Sequence, residues 1–245
     1  MNASNEFELN ELKFLHEPQI KPCCGPLFFA RSTEIATGNV TANGSFGLVD
    51  TGQRKLLVTC HHVWADYQKA CRDDPEFKLL VCLDHNSPVV LGSNQLIDQN
   101  ETLDIAIFDM ASLLGACSGR KFYPINENPP RKVTKGDRVY FLGYPGVFRS
   151  ATEEGVSFGR MRYAVNASAV SGSYFFADIS KSKSIYDQKL KSKEDLYGGI
   201  SGSPCFLVRR DRPVHLLGFA NSISMRILRF THASCLNPDG TIKKF

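Results

Sequence analysis

No stretch of the 245 residues reaches the roughly 18 consecutive apolar positions of a membrane-spanning helix, so the sequence carries no helical membrane span. Between Met1 and Phe14 there is no apolar core of the kind a secretory signal needs; Glu6, Glu8 and Glu11 stand there instead. Neither sign of charge is in large excess, and a formal net charge of +4 is too mild to point to nucleic acid. Cys-x-x-Cys spacing is missing. The eight cysteines, Cys23, Cys24, Cys60, Cys71, Cys82, Cys117, Cys205 and Cys235, therefore give no zinc framework by spacing. Cys23-Cys24 and Cys60-His61-His62 come nearest to a ligand set, and neither metal nor cofactor is expected. With no signal in a chain of this length, reduced thiols in a cytoplasm are expected rather than a disulfide framework.

What is present is the composition of an ordinary globular protein, 42% hydrophobic and 22% charged. The length suits one large β domain or two small ones sharing an interface. Residues 1–36 read as an extension: Glu6, Leu9, Leu12 and Leu15 are loosely helical in spacing, and Pro18, Pro22 and Pro26 then break regularity. From Gly38 the pattern turns to β, with strand-like runs at 45–49, 55–59, 78–82, 89–91 and 103–108 and a short helical turn over 63–71. That is enough to close one small antiparallel barrel before Pro124. Residues 124–135 read as a connector. A second set of strands follows at 138–142, 156–167, 174–179, 201–208 and 214–221. Between Ser180 and Asp195, five lysines with few apolar neighbours read as a solvated loop, or as a mobile regulatory loop beside a site.

The densest chemistry lies in Gly198-Gly199-Ile200-Ser201-Gly202-Ser203-Pro204. Glycine permits positive φ and close backbone approach. A serine between such glycines can sit on a sharp turn with neighbouring N–H groups directed together, which suits a nucleophile and an oxyanion hole. A plain glycine–serine turn between strands would read the same way. Serine needs a base, and two histidines, His61 and His62, follow the apolar run 56–58. Adjacent residues on an extended segment point to opposite sides, so only one should reach the serine. Asp104 opens the apolar run 105–108, where an unpaired charge is costly; Asp98 and Asp109 are alternatives. Histidine, aspartate, serine is one of the chain orders in which catalytic triads occur.

Together, Thr59-Cys60-His61-His62-Val63, Leu103-Asp104-Ile105-Ala106 and Gly199-Ile200-Ser201-Gly202-Ser203-Pro204 resemble the motifs of trypsin-like (chymotrypsin-fold) serine peptidases over residues 37–235. They look most like the bacterial branch, whose histidine motif reads Thr-x-x-His-Val and whose serine motif reads Gly-x-Ser-Gly-Ser-Pro. The resemblance implies an all-β fold of two six-stranded antiparallel β-barrels. Residues 1–36 would be the N-terminal extension, 37–125 the first barrel with histidine and aspartate, and 126–245 the second barrel with serine. It implies a serine endopeptidase working through an acyl-enzyme: Ser201 as nucleophile, His62 as base, Asp104 as orienting carboxylate, and the N–H groups of Gly199 and Ser201 as oxyanion hole. It selects His62 over His61 and assigns Ser203, before Pro204, to the family's small residue.

The resemblance places Asp195 where a pocket aspartate would favour lysine or arginine, and Phe219, Ala220, Asn221 and Ser222 along the pocket's other wall. Two departures carry consequences. Ile200 stands where zymogen-type members have an aspartate, and no Ile-Val-Gly-Gly start is present, so activation through a freshly cut amino terminus is not expected. Val63 rather than cysteine follows His62, in line with reduced thiols, and a free-standing core without a peptide-binding (PDZ) domain is expected. The expected partners are a polypeptide substrate and a regulatory protein, not nucleic acid or membrane. The competing function on the same fold is a non-catalytic binding module.

Overall fold

The computed structural model describes residues 16–35, 40–83, 88–152, 155–179, 183–185, 198–208 and 214–243. The first half is a curled sheet of β1 (Cys24–Arg31), β2 (Ala42–Asp50), β3 (Lys55–Thr59), β4 (Phe77–Val81), β5 (Val89–Val90), β6 (Leu96–Asn100) and β7 (Ile105–Asp109). Their spatial order is β5-β4-β1-β2-β3-β7-β6, with β8 (Tyr123–Pro124) parallel to β2 and every other pairing antiparallel. The second half holds β9 (Arg138–Gly143), a separate hairpin of β10 (Arg149–Thr152) and β11 (Gly155–Phe158), then β12 (Met161–Ser171), β13 (Tyr174–Asp178), β14 (Lys183–Ile185), β15 (Pro204–Leu207), β16 (His215–Ser224) and β17 (Ile227–His232). The order β13-β17-β16-β15-β9-β12 is closed by a β12–β13 pairing into a six-stranded barrel, with β14 on the outside of β12. The protein has the trypsin-like double-barrel fold.

Residues 24–31 are assigned to an extension by sequence; in the structure they form β1, between β2 and β4. Pro26 suggests a break because it has no N–H to donate. Here it precedes the ladder with β4, which begins at Leu27, and its carbonyl accepts from Cys82 N–H at 3.2 Å.

Strand parity explains why so many runs are apolar on every residue. Leu56 and Val58 join a core between the two halves, while Leu57 faces the core inside the first. Ile105 and Ile107 against Ala106 and Phe108 repeat this, as do Tyr140 and Leu142 against Val139 and Phe141 in the second half. A strand alternates sides, so strands at the junction bury both faces and read as unbroken hydrophobic runs.

The first and last described segments cross over this junction. Ile20, Cys23 and Cys24 enter the shared core, and buried Glu17 accepts from Arg162 Nε and Arg160 Nη2, both at 2.7 Å, in the second half. Leu236 and Ile242 return to the same core, and Ile242 N–H donates to Asp98 in the first half at 2.8 Å.

His232, at the end of β17, makes stability pH-dependent. Its Nε2–H donates to the Arg131 carbonyl at 2.9 Å, and its Nδ1 accepts from Ser234 N–H at 3.1 Å. Burial is the main cause that lowers its pKa from 6.5. The fold thus prefers the neutral ring. This contribution is complete above about pH 6.5 and is lost as the pH falls through the lower folded value. Buried His16 is shifted the same way. The melting temperature should fall below pH 6.5 by a few degrees more in the wild type than in His232→Gln; about 1 kcal/mol corresponds to roughly 2–4 °C at this size. Parallel melting curves would mean that the ring does not supply the effect.

Candidate active site

Helix α1 (His61–Asp73) leaves β3 through Cys60, an extended residue with no side-chain cap. Val63, Trp64, Tyr67, Ala70 and Cys71 fall on one helical face and pack into the first-half core, with Trp64 edge-on to Phe108 at 5.2 Å. The helix carrying that pattern begins at His61, so both histidines lie on its first turn rather than on a strand. The opposite-sides argument therefore does not apply to them. Asp104 distinguishes the two instead.

The first N–H groups of a helix have no intrahelical acceptor. Here Asp104 Oδ1 accepts from the backbone N–H of His62 at 2.9 Å. The same carboxylate faces His62 Nδ1, at 3.0 Å from Oδ1 and 2.9 Å from Oδ2. An ionised carboxylate only accepts, so Nδ1 carries the proton and the Nε2 lone pair is left available. Among the described residues His61 has no such partner. The Asp104 side chain is 10% exposed and the His62 side chain 45%. Burial alone would push the Asp104 carboxyl up. Bonds from the His62 ring and amide, the ring's charge and the nearby Arg229 guanidinium outweigh it and hold the carboxyl below its usual range.

Asp104 has φ +52°, a left-handed conformation that costs an ordinary residue about 1–2 kcal/mol and that aspartate tolerates better than most. The turn is held locally by Asp104 N–H to the Glu101 carbonyl at 3.1 Å and Leu103 N–H to Asn100 Oδ1 at 2.8 Å.

The serine loop reaches the same region from the second half. Its carbonyls are tied down one after another. Gly198 accepts from Gly146 N–H at 2.7 Å, Gly199 from Ser45 Oγ at 2.8 Å, Ile200 from Ser203 N–H at 2.9 Å, and Ser201 from Ser45 N–H at 2.8 Å. In a trans peptide the N–H points opposite to the C=O. The N–H groups of Gly199 and Ser201 are thereby turned away from these anchors and have no acceptor among the described residues. Gly199 has φ +97°, and a Cβ there would lie 2.3 Å from Asn43 Nδ2 and 2.7 Å from the Tyr144 carbonyl. Gly202, at φ +91°, would place a Cβ 2.1 Å from the Ser45 carbonyl. Glycine is required at both positions.

Ser201 Oγ is partly buried and donates to the Asn221 carbonyl at 3.3 Å; it does not bond His62. Catalytic contacts are often long or misaligned without substrate. Ser203, the other hydroxyl, is fully buried and has no partner among the described residues.

The proposed pocket wall needs correction. Phe219 is buried over Gly47, and Ala220 lies in the second-barrel core, its carbonyl accepting from Gly202 N–H at 2.7 Å. Asn221 is also buried, with Nδ2 on Thr231 Oγ1 at 2.8 Å. Of the four wall residues only Ser222 is exposed. Both faces of β16 are packed here, Phe219 against the core between the halves and Ala220 against the core of the second barrel. Asp195 and most of the lysine segment lie outside the described residues.

Cys60 Sγ, His62 Nδ1 and an Asp104 oxygen lie within 4.8 Å of one another, a sulfur–nitrogen–oxygen set suited to a cation such as zinc. The Cys60 thiol is fully buried, donates to the Ala220 carbonyl at 3.2 Å, and is pushed well up by burial. A cation there would take the Nδ1 lone pair, so it and the His62–Asp104 hydrogen bond exclude each other.

A family model described as trypsin-like peptidase domain matches residues 36–214. The chain belongs to this family. Among solved structures, the crystal structure of Deg5 resembles this trypsin-like domain with a TM-score of 0.50 at 11% identity, covering 93% of this chain and 90% of that one. A structure from work on aromatic interactions in the coupled folding and binding of the intrinsically disordered Sesbania mosaic virus VPg protein gives a TM-score of 0.46 at 13% identity, covering 85% of each chain. At these identities the likeness concerns the fold. No curated protein sequence matches the chain.

Several residues of this trypsin-like domain that surround the site escape a reading of motifs. Ser45 bridges the halves, accepting from Tyr144 N–H at 3.2 Å while donating to Gly199. Asn43 Nδ2 donates to the Tyr144 carbonyl at 2.7 Å. Gly44-Ser45 offers a faint signal, as a glycine–serine pair echoing Gly202-Ser203. Arg229 and Thr231 offer none, and both lie beyond the stretch that the family model matches.

Proposed function

We propose that the protein is a serine endopeptidase that hydrolyses peptide bonds through an acyl-enzyme. Ser201 is the nucleophile, His62 the general base and acid, Asp104 the orienting carboxylate. The N–H groups of Gly199 and Ser201 form the oxyanion hole. The observation that carries the reading is the His62–Asp104 pair, Nδ1 against both carboxylate oxygens, which leaves Nε2 ready to accept a proton. The two unpaired amides of the anchored serine loop support it, since donors preorganised for a developing oxyanion are commonly worth about 10²–10³ in rate each.

In the first step Ser201 Oγ attacks the carbonyl carbon while His62 Nε2 takes its proton. The proton then passes to the leaving amine as the C–N bond breaks. Water repeats the sequence on the ester, releasing the acid and restoring Ser201. Asp104 stays ionised throughout and stabilises the imidazolium. The substrate is a polypeptide, with Asp195 proposed as the residue that favours a basic side chain and Ser222 as the exposed part of the wall. A regulatory protein acting near the lysine segment and a cytoplasmic location belong to the same proposal. Among the described residues, no helix is long and apolar enough to cross a membrane.

The second reading, a non-catalytic binding module, is favoured by one contact: Ser201 Oγ bonds the Asn221 carbonyl and not His62. A fluorophosphonate probe separates the two. The proposed peptidase should be labelled on the peptide containing Ser201, with labelling lost in Ser201→Ala and in His62→Ala. A correctly folded wild type that takes no label and cleaves no member of a peptide library would establish the binding module instead.

A further inference from the structure

The left-handed backbone of Asp104 sits in the first half of the molecule, yet side chains of the second half hold it. Thr231 Oγ1, on β17, donates a short hydrogen bond to the Leu103 carbonyl, and Asn221 Nδ2, on β16, makes a longer one to the same oxygen at 3.5 Å. The Tyr174 hydroxyl, on β13, donates to the Thr102 carbonyl. Arg229, on β17, links the group: its Nε donates to Asn221 Oδ1 at 3.2 Å, and its guanidinium lies over the Tyr174 ring at 5.0 Å. Two successive carbonyls just before Asp104 are thus gripped by groups up to 128 residues away in sequence. Unfavourable backbone conformations persist where the surroundings over-determine them.

We infer that Asn221, Arg229 and Thr231 are positioning residues for Asp104: they clamp the 102–103 turn from the opposite barrel. The inference rests on the peptidase reading for its effect on rate, and on geometry alone for the clamp. The clamp makes the pair's geometry depend on the docking of the two barrels.

The test uses the full chain. Thr231→Val, which deletes the hydroxyl, should lower kcat by about 10–100-fold with little change in KM, as small misplacements of catalytic groups do. Thr231→Ser should restore it. Hydrogen exchange at the His62 amide, which is bonded to Asp104, gives a readout without catalysis. It should quicken in Thr231→Val and not in Thr231→Ser, while amides of β3 such as Leu57 keep their wild-type rates. An unchanged His62 amide in Thr231→Val overturns the clamp. If the wild type cleaves nothing, the peptidase reading fails, and the exchange measurement still decides the clamp.

Discussion

Ser201→Ala and His62→Ala are each expected to lower kcat/KM by at least about 10⁴-fold, and the double variant by little more than either. The reason is that neither group works without the other. Without Nε2 to accept its proton, the Ser201 hydroxyl is a weak nucleophile; without the hydroxyl, the base has no proton to take. His61→Ala is the control. His61 occupies the first position of α1, one residue from His62. Successive helical side chains diverge by about 100°, and the Asp104 carboxylate meets the ring and amide of His62. His61→Ala should therefore keep most of the activity. Rates for the four variants on one fluorogenic peptide, with circular dichroism to confirm folding, decide the assignment. Additive losses in the double variant would mean that Ser201 and His62 do not act as a unit. Collapse of His61→Ala alongside an active His62→Ala would move the base by one residue.

Asp104→Asn should cost about 10⁴-fold in kcat while leaving the fold intact. The carboxylate has two tasks that an amide cannot perform together. Oδ1 accepts the His62 backbone N–H, and the oxygens together accept Nδ1–H. In the asparagine variant the amide oxygen can still accept from the helix N–H, so α1 remains capped. The NH₂ group then faces Nδ1, which must become an acceptor. The imidazole proton moves to Nε2, and the lone pair needed by Ser201 is gone. Melting temperature near neutral pH should change little beside the loss in rate. At acid pH any advantage of the wild type over the variant shrinks. The folded Asp104 carboxyl lies below its usual 3.8, so its contribution to stability is complete above the ordinary carboxylate range. It is lost as the pH falls through the folded value, and Asp104→Asn lacks this loss. A variant that unfolds at neutral pH, or that retains activity within about tenfold, would show that the carboxylate has another role.

The chemistry-bearing residues are legible in the chain because each depends on its immediate neighbours. Gly199 and Gly202 must take positive φ beside Ser201, and Asp104 must open a buried strand. Those demands are local and leave fixed spacings. The double barrel is legible for a related reason: strands buried on both faces show as unbroken apolar runs. The short helical turn was legible over 63–71 but not its start, because the packing of Val63 and Trp64 into the core carries the helix back to His61. The place of 24–31 was hidden by Pro26, whose missing N–H matters only once it is known which side of β1 is paired at that residue.

The sequence by itself determined the fold class, the family and the residue types brought to the site. Tertiary structure alone decided which neighbours serve them. Phe219 and Ala220 read like pocket residues, yet both faces of β16 are covered there: Phe219 enters the core between the halves and Ala220 the core of the second barrel. Thr231 carries no motif, and Ser45 only the faint echo of its glycine–serine pair. Their hydrogen bonds span 154 residues from Ser45 to Gly199 and 128 from Thr231 to Leu103, and they exist only because the two halves dock face to face. A local pattern records what a residue requires of its neighbours in the chain. A partner met across an interface is set by the packing of whole sheets, and no short stretch of sequence contains it.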